Sequence, residues 1–361
     1  MKVAVIGASG FIGGHTLRCL RAAGDEARAV VRNPRYAPRD PDRRLADVCD
    51  VYALRDALEG CEAVVHAALG EPNVILGSLA PVYAAAEAVG ARRLVYISTG
   101  SVHGQSPAPG TDERTPLTVR HAFAYNAAKV RAERRLQRLR ARGSVELVLL
   151  RPTIVFGPGS RWVFDFADAL RSGTAYVVGG GRGTCNSIYV DNLAHAIRLA
   201  LTTPGIDGEV FLVNDEEPVT WRDLYRPIAN AFGFDLDTIP SVDAPDFSLT
   251  FRQKYIDPIR SAEATRRVTG LLPISVKAGV KQALRAARGS VRSKPSSDNA
   301  PSERPEISKR PPALSREIAA LHTCRWRLPH DKARRMLGYV APISFDEGCR
   351  RSVDWLLKRE T

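Results

Sequence analysis

Apolar residues fall along this chain in short unbroken runs that alternate with stretches of helical spacing. Residues 3–6 form the first run, and a strand covered on both faces shows such a run without alternation. The run breaks at Gly7, and apolar positions resume at helical spacing over about 11–23. The same alternation predicts strands at 26–31, 63–68, 93–99 and 146–150, with helices at 51–59, 78–89 and 125–142 between them. A further strand and helix are expected over 186–192 and on to Leu201. Strands and helices alternating at this spacing predict an α/β fold, a doubly wound parallel sheet with ligands beyond the carboxyl ends of its strands.

The first turn carries glycines at 7, 10 and 13, between a strand and a helix. Such a turn gathers free backbone N–H groups at the positive end of a helix, where a pyrophosphate binds, and glycine keeps the approach open. This context makes the pattern a dinucleotide site and the sheet Rossmann-type. Arg32 ends the second strand, about twenty residues on, where an acidic side chain would accept from a ribose. A guanidinium pairs instead with a 2′-phosphate, so NADP(H) is preferred and NAD(H) is the alternative; the bland reading is a solvated Arg in an Arg-rich chain. Asp47 and Val48 are placed to reach the adenine, and Ala67 and Ala68 are small enough to let the cofactor near the backbone.

Tyr125 and Lys129 stand four apart and share one helical face. Of the 52 basic residues only 9 are Lys, and Lys129 is the sole Lys between Lys2 and Lys254. A chain that otherwise uses Arg keeps a compact ammonium here, suited to bind a ribose hydroxyl and to lower the phenol's pKa. His66, His103 and His195 are read as packing or surface residues, and 179–183 as a flexible loop. Thr220-Trp-Arg-Asp223 is a capping box that opens a helix, and 332–357 reads as two helices around a turn.

Composition narrows the class further. The 361 residues divide into a dinucleotide-binding core, 1–155 with 184–204 returning to it, and a smaller substrate-binding region, 156–183 with 205–361. No apolar window is long enough to span a membrane, and the first strand leaves no room for a signal peptide. Six scattered cysteines suggest reduced thiols in a cytoplasm and no metal site. The net charge of +13 is concentrated late: from Phe251 to Leu328 seventeen Lys/Arg face six Asp/Glu. Within a basic insertion at about 274–315, residues 275–292 read as a basic amphipathic helix, followed by a disordered Pro/Ser-rich stretch. An apolar stripe beside the basic one fits a membrane surface better than nucleic acid, the alternative being a solvated helix.

Together these residues resemble the extended short-chain dehydrogenase/reductase family, which includes the NAD(P)-dependent epimerases and dehydratases of nucleotide sugars. The resemblance covers roughly 1–240 and 325–357. It rests on the glycine turn, Asp47, His66-Ala-Ala68, Ser98-Thr99, Tyr125-x-x-x-Lys129, Arg151-Pro152, Gly157-Pro158-Gly159, Tyr189-Val190-Asp191 and the closing Leu337-Gly338. It implies Tyr125 as general acid/base, Lys129 as the group that tunes it and binds the nicotinamide ribose, and Thr99 as a hydrogen-bond partner of the reacting oxygen. The cofactor contacts expected are Gly7, Ser9, Gly10, Phe11, Ile12, Gly13, Arg32, Asp47, Val48, Ala67, Ala68, Ser98, Tyr125, Lys129, Pro152 and Ile154. It also implies a homodimer through the helices containing Ala86 and Tyr125.

Three departures from the family's pattern narrow the reaction. The 4,6-dehydratases carry Asp-Glu after the position of Thr99, where this chain has Gly100-Ser101. His103 stands where sugar-nucleotide members have Tyr, and Cys185 where many have an Arg for the substrate diphosphate. The expectation is an NADP(H)-dependent oxidoreductase interconverting a carbonyl and a secondary alcohol on a nucleotide sugar or other hydroxylated metabolite. The alternatives are a nucleotide-sugar epimerase with tightly held NAD(P), and a non-catalytic NADP-binding protein.

Overall fold

A computed structural model describes residues 1–33, 42–243 and 314–359, all within one compact unit. The expected basic helix and nearly all of the insertion lie outside the described residues. The chain opens with β1 (Lys2–Ile6), α1 (Phe11–Ala22), β2 (Glu26–Val31), β3 (Arg43–Leu45), α2 (Val51–Leu58) and β4 (Ala63–His66). It continues through α3 (Pro72–Gly77), α4 (Leu79–Ala88), β5 (Arg93–Ile97), α5 (Ala124–Arg140), β6 (Glu146–Pro152), β7 (Ile154–Phe156) and α6 (Arg161–Arg171). Next come β8 (Val177–Val178), β9 (Thr184–Cys185), β10 (Ser187–Tyr189), α7 (Val190–Thr202), β11 (Val210–Val213), β12 (Val219–Thr220), α8 (Trp221–Ala231) and β13 (Ser241–Val242). The described chain closes with α9 (Arg316–His322), α10 (Asp331–Leu337) and α11 (Phe345–Leu357).

Among the described residues seven strands form one parallel sheet in the order β11-β6-β5-β4-β1-β2-β3. Successive strand side chains point to opposite faces, and both faces are covered. On β1, Val3 and Val5 enter one core with Leu17 and Leu20 of α1 and Ile197 of α7. Ala4 and Ile6 enter a second core with Leu54 of α2, Val82 of α4 and Leu136 of α5. This is the doubly wound sheet expected from the apolar runs. From β1 the chain steps to β2 and β3 on one side and then to β4 on the other, so its direction reverses beside the end of β1.

A third core lies under α6, α8 and α11, around Phe156, Tyr189, Trp221 and Tyr225. The capping box of α8 forms as expected: Thr220 Oγ1 accepts from the N–H of Asp223, whose carboxylate accepts from Thr220. The helix expected at 78–89 forms as α4, and Pro72, suited to a helix N-terminus, opens a further short helix, α3, just upstream. Two expectations about local structure are corrected. The strands expected to run to Ala68 and Thr99 end at His66 and Ile97. The loop at 179–183 contains a tight turn in which Gly179, Gly180 and Gly181 all have positive φ. Among the described residues no helix is long and apolar enough to cross a membrane.

Burial sets a pH dependence. His66 is held down to about 3 by burial and by the Lys129 charge. Burial holds His103 and His322 down to about 4, with Arg151 reinforcing it at His103. An unfolded histidine titrates near 6.5, so between about 6.5 and 4 the unfolded chain binds more protons and folding weakens as pH falls. Asp215, pushed up to about 7 by burial, acts in the opposite sense but is one group against three. The urea midpoint is expected to drop between pH 7 and pH 5, and to drop less in His322→Gln. A midpoint that rises on acidification would contradict this assignment.

Candidate active site

A cavity of about 670 Å³ lies over the carboxyl ends of β1, β4 and β5. Its floor is the β1–α1 turn. Gly7, at φ 86°, donates its N–H to Val30 O at 3.0 Å. A Cβ on Gly7 would sit 2.7 Å from Ala68 N, and one on Gly13 would sit 2.2 Å from Gly7 O. The turn can therefore be this tight only with glycine. Gly10 caps α1 with no side-chain hydrogen bond, and no acidic residue stands in the first turn. The first N–H groups of this 12-residue helix remain available to an anion.

At one end of the cavity Arg32 and Asn33 line the wall with Val30, Ala46 and Val48. Arg32 is exposed and makes no ion pair among the described residues. Asp47 does not line the cavity; its carboxylate accepts from Cys49 N at 2.8 Å and shapes the turn that carries Val48.

Thr99, Ser101 and Tyr125 line the middle. Tyr125 and Thr99 share this lining, and the Thr99 hydroxyl favours the ionised phenol. Thr99 Oγ1 lies 2.9 Å from Ser101 Oγ and accepts from Ser101 N at 3.2 Å. Lys129 is buried directly behind, donating to Tyr96 Oη at 3.1 Å and to Ile97 O at 2.8 Å, with its ammonium 4.5 Å from the Tyr96 ring. Burial pushes Lys129 down to about 7, against the opposing pull of Glu133. The phenol differs from expectation: burial pushes Tyr125 up to about 12, and the Thr99 hydroxyl only partly offsets this. Two of the three Lys129 donors are engaged by Tyr96 and the β5 backbone.

Ser98 turns away from the cavity. Its hydroxyl donates to Glu133 Oε1 at 2.5 Å, and Glu133 pairs with Arg151 at 2.7 Å, both carboxylate and guanidinium being buried. Arg151 also bonds His103 Nε2 at 3.1 Å, so His103 sits in packing rather than in the cavity. His66 bonds Ser78 Oγ at 3.0 Å, likewise in the interior. Of the expected contacts, Gly7, Ser9, Gly10, Phe11, Ile12, Arg32, Val48, Ala67, Ala68, Thr99, Tyr125 and Ile154 line the cavity. Gly13, Asp47, Ser98, Lys129 and Pro152 do not line it.

The far wall was missed in the sequence. Ser315 caps α9, and Ile318 and Leu321 of that helix, with Leu328 beyond it, face the cavity beside Trp162 of α6. Asn186 fastens this segment, donating to Trp326 O at 3.0 Å and accepting from Leu328 N at 2.8 Å. Trp221 Nε1 donates to Leu321 O at 3.2 Å, and the His322 ring stacks on Trp221 at 3.9 Å. The one available signal was Ser315 followed by apolar residues at 318 and 321. Cys185, at the position of the family's diphosphate-binding Arg, is buried in the third core.

The model of the NAD dependent epimerase/dehydratase family matches residues 3–213. A 2-alkyl-3-oxoalkanoate reductase of Stenotrophomonas maltophilia is 29% identical over 97% of this chain and 98% of its own. A 3-diazoavenalumate denitrifying reductase of Streptomyces is 30% identical over 75% of this chain and 95% of its own. A 3β-hydroxysteroid dehydrogenase/Δ5→4-isomerase of Mycobacterium tuberculosis is 28% identical over 64% of this chain and 70% of its own. Among solved structures, the UDP-glucose 4-epimerase of Thermotoga maritima superposes with a TM-score of 0.69 at 18% identity over 100% of both chains, a likeness of fold. The glycine turn, the cavity over the sheet and these matches place the chain in the NAD-dependent epimerase/dehydratase family, as an oxidoreductase of the extended short-chain dehydrogenase/reductase type.

Proposed function

We propose that the protein is an NADP(H)-dependent reductase or dehydrogenase that interconverts a carbonyl and a secondary alcohol on a largely apolar substrate. Tyr125 is its general acid/base. The observation that carries this reading is a single cavity lined by the glycine turn, by Arg32, which makes no ion pair among the described residues, and by Thr99 and Tyr125. The open N-terminus of α1 suits a pyrophosphate, and Arg32 suits a 2′-phosphate. When bound, NADPH supplies the hydride that goes to the carbonyl carbon. Tyr125 gives its proton to the carbonyl oxygen, and Thr99 holds the phenol oxygen as charge develops on it. Lys129, anchored on Tyr96 and Ile97, fixes the helix that carries Tyr125 and supplies positive charge behind it.

The far wall supports the apolar substrate. Its polar side chains are bonded to one another: Gln105 donates to Glu317 at 2.9 Å, and Asn186 is occupied by the 326–328 backbone. What faces the cavity there is Trp162, Ile318, Leu321 and Leu328. The reductase and the hydroxysteroid dehydrogenase among the relatives carry names of largely hydrocarbon substrates. A nucleotide-sugar epimerase would need a cation for the diphosphate, and Cys185 offers none. Arg161 lines the cavity but pairs with Asp165 at 3.2 Å and is exposed.

Titration of the purified protein with NADPH and NADH tests the cofactor. NADPH is expected to bind more tightly, and Arg32→Asp to weaken NADPH by about 10- to 100-fold while sparing NADH. Tight NADH binding by the wild type, or NAD retained through purification, would overturn the preference. Tyr125→Phe is expected to lower turnover of an aliphatic or alicyclic ketone by about 10²- to 10⁴-fold with NADPH affinity little changed. Undiminished turnover would remove Tyr125 from the chemistry.

A further inference from the structure

We propose that Glu317 is the specificity-determining residue on the α9 side of the cavity: it takes an O–H or N–H donor from the substrate and turns away an anionic group. The inference rests on the reading of the cavity as the site of a largely apolar carbonyl substrate. It names the group that such a substrate carries beyond its hydrocarbon part. Glu317 and Gln105 both line the cavity. Gln105 follows the short 3₁₀ turn after β5, and Glu317 lies in the first turn of α9. Gln105 Nε2 donates to Glu317 Oε1 at 2.9 Å.

Among the described residues Glu317 is the only carboxylate in the lining. An ionised carboxylate accepts at both oxygens and donates at neither. Gln105 engages Oε1 alone. Among the described residues Oε2 has no hydrogen-bond partner, and Glu317 forms no ion pair. Oε2 is not among the buried orphaned atoms, so water or a ligand can reach it. The amide oxygen of Gln105 likewise has no donor among the described residues.

The two arginines of the lining leave this charge uncompensated. Arg32 lies at the other end of the cavity, and Arg161 pairs with Asp165 at 3.2 Å. A carboxylate in the first turn of a helix favours the helix itself. That accounts for a negative charge at 317 but not for its bond to a residue 212 positions away, on a loop that also lines the cavity. Ile318, next along α9, belongs to the apolar wall with Leu321 and Leu328. A substrate that rests on this wall and closes the α9 side displaces water from Oε2. A hydroxyl or ammonium replaces the lost hydrogen bond. A methyl end leaves a charged acceptor unpaired, and a carboxylate end adds a like charge in a site poor in water.

The test measures binding directly, by ligand-observed NMR of the full chain at pH 7 with NADP⁺ and NAD⁺ both present. The ligands are 2-alkanones of graded length whose far end is a methyl, hydroxyl, ammonium or carboxylate group. At the best-fitting length the hydroxyl and ammonium ketones are expected to bind about 5- to 30-fold tighter than the methyl ketone. The carboxylate is expected to bind about 10-fold more weakly. Whichever of hydroxyl and ammonium binds tighter identifies the donor. Glu317→Gln keeps an acceptor and removes the charge, so the carboxylate penalty should vanish and the hydroxyl advantage remain. Glu317→Leu should abolish both. A carboxylate that binds the wild type as well as the methyl ketone does, or discrimination that persists in Glu317→Leu, would overturn the proposal. If no ketone binds at any length, the apolar-carbonyl reading fails and this inference with it, whereas equal binding of all four ends sinks this inference alone.

Discussion

The architecture depends on backbone approaching backbone at the end of β1. Gly7 abuts Ala68 from β4's side, and Gly13 of α1 sits on the carbonyl of Gly7. A methyl group at either place would have to displace main chain, because no flexible side chain is there to yield. This contact sets the angle at which α1 leaves the sheet and so where its open N-terminus points. His15, one turn into α1, extends the constraint: Nδ1 is 2.6 Å from Asp191 of α7, and Nε2 is 3.1 Å from Pro158 O. One helix thus ties the cofactor turn to the Gly157-Pro158-Gly159 loop and to the helix that follows β10.

A second constraint is buried charge. Lys129, Glu133 and Arg151 are each no more than 3% exposed. Ions placed so deep are tolerable only when their hydrogen-bonding groups are met, and here they are met by β5, by Ser98 and by one another. Removing one partner would strand the other, and the network links α5 to β5 and β6. The position of the Tyr125 hydroxyl follows from it. Tyr125 is four residues from Lys129 on the same helix, while Thr99 is two residues beyond Ile97, which accepts from Lys129.

The parts legible in the sequence were those with a local cause. A strand buried on both faces is a short apolar run, a tight strand-to-helix turn is a spacing of glycines, and a capping box is two side chains three residues apart. Each needs only its neighbours. Ser98 shows where that fails. Its strand has no polar face, so no alternation indicates whether a residue at its end points into the cavity or toward α5. The answer depends on Glu133, thirty-five residues away. The phenol's pKa fails for a related reason, since spacing reveals the nearby cation but not the burial that outweighs it. The far wall is assembled from Trp162, Asn186 and 318–328, segments separated by long intervals of chain, and no local pattern joins them.

That wall also bears on what the fold can recognise. A cavity over a doubly wound sheet is shared across the whole family, so discrimination among substrates must come from what closes its outer end. Here the closing segment is held from behind by Asn186, Trp221 and Tyr225, whose polar atoms meet the segment's backbone or His322. Those groups are not free to turn toward a ligand without releasing the wall. A hydrocarbon portion gains the area it buries against Trp162, Ile318 and Leu321 and disturbs no hydrogen bond. The interactions that hold the wall rigid also occupy Asn186 and the segment's backbone, and this is the physical ground of the apolar substrate proposed above.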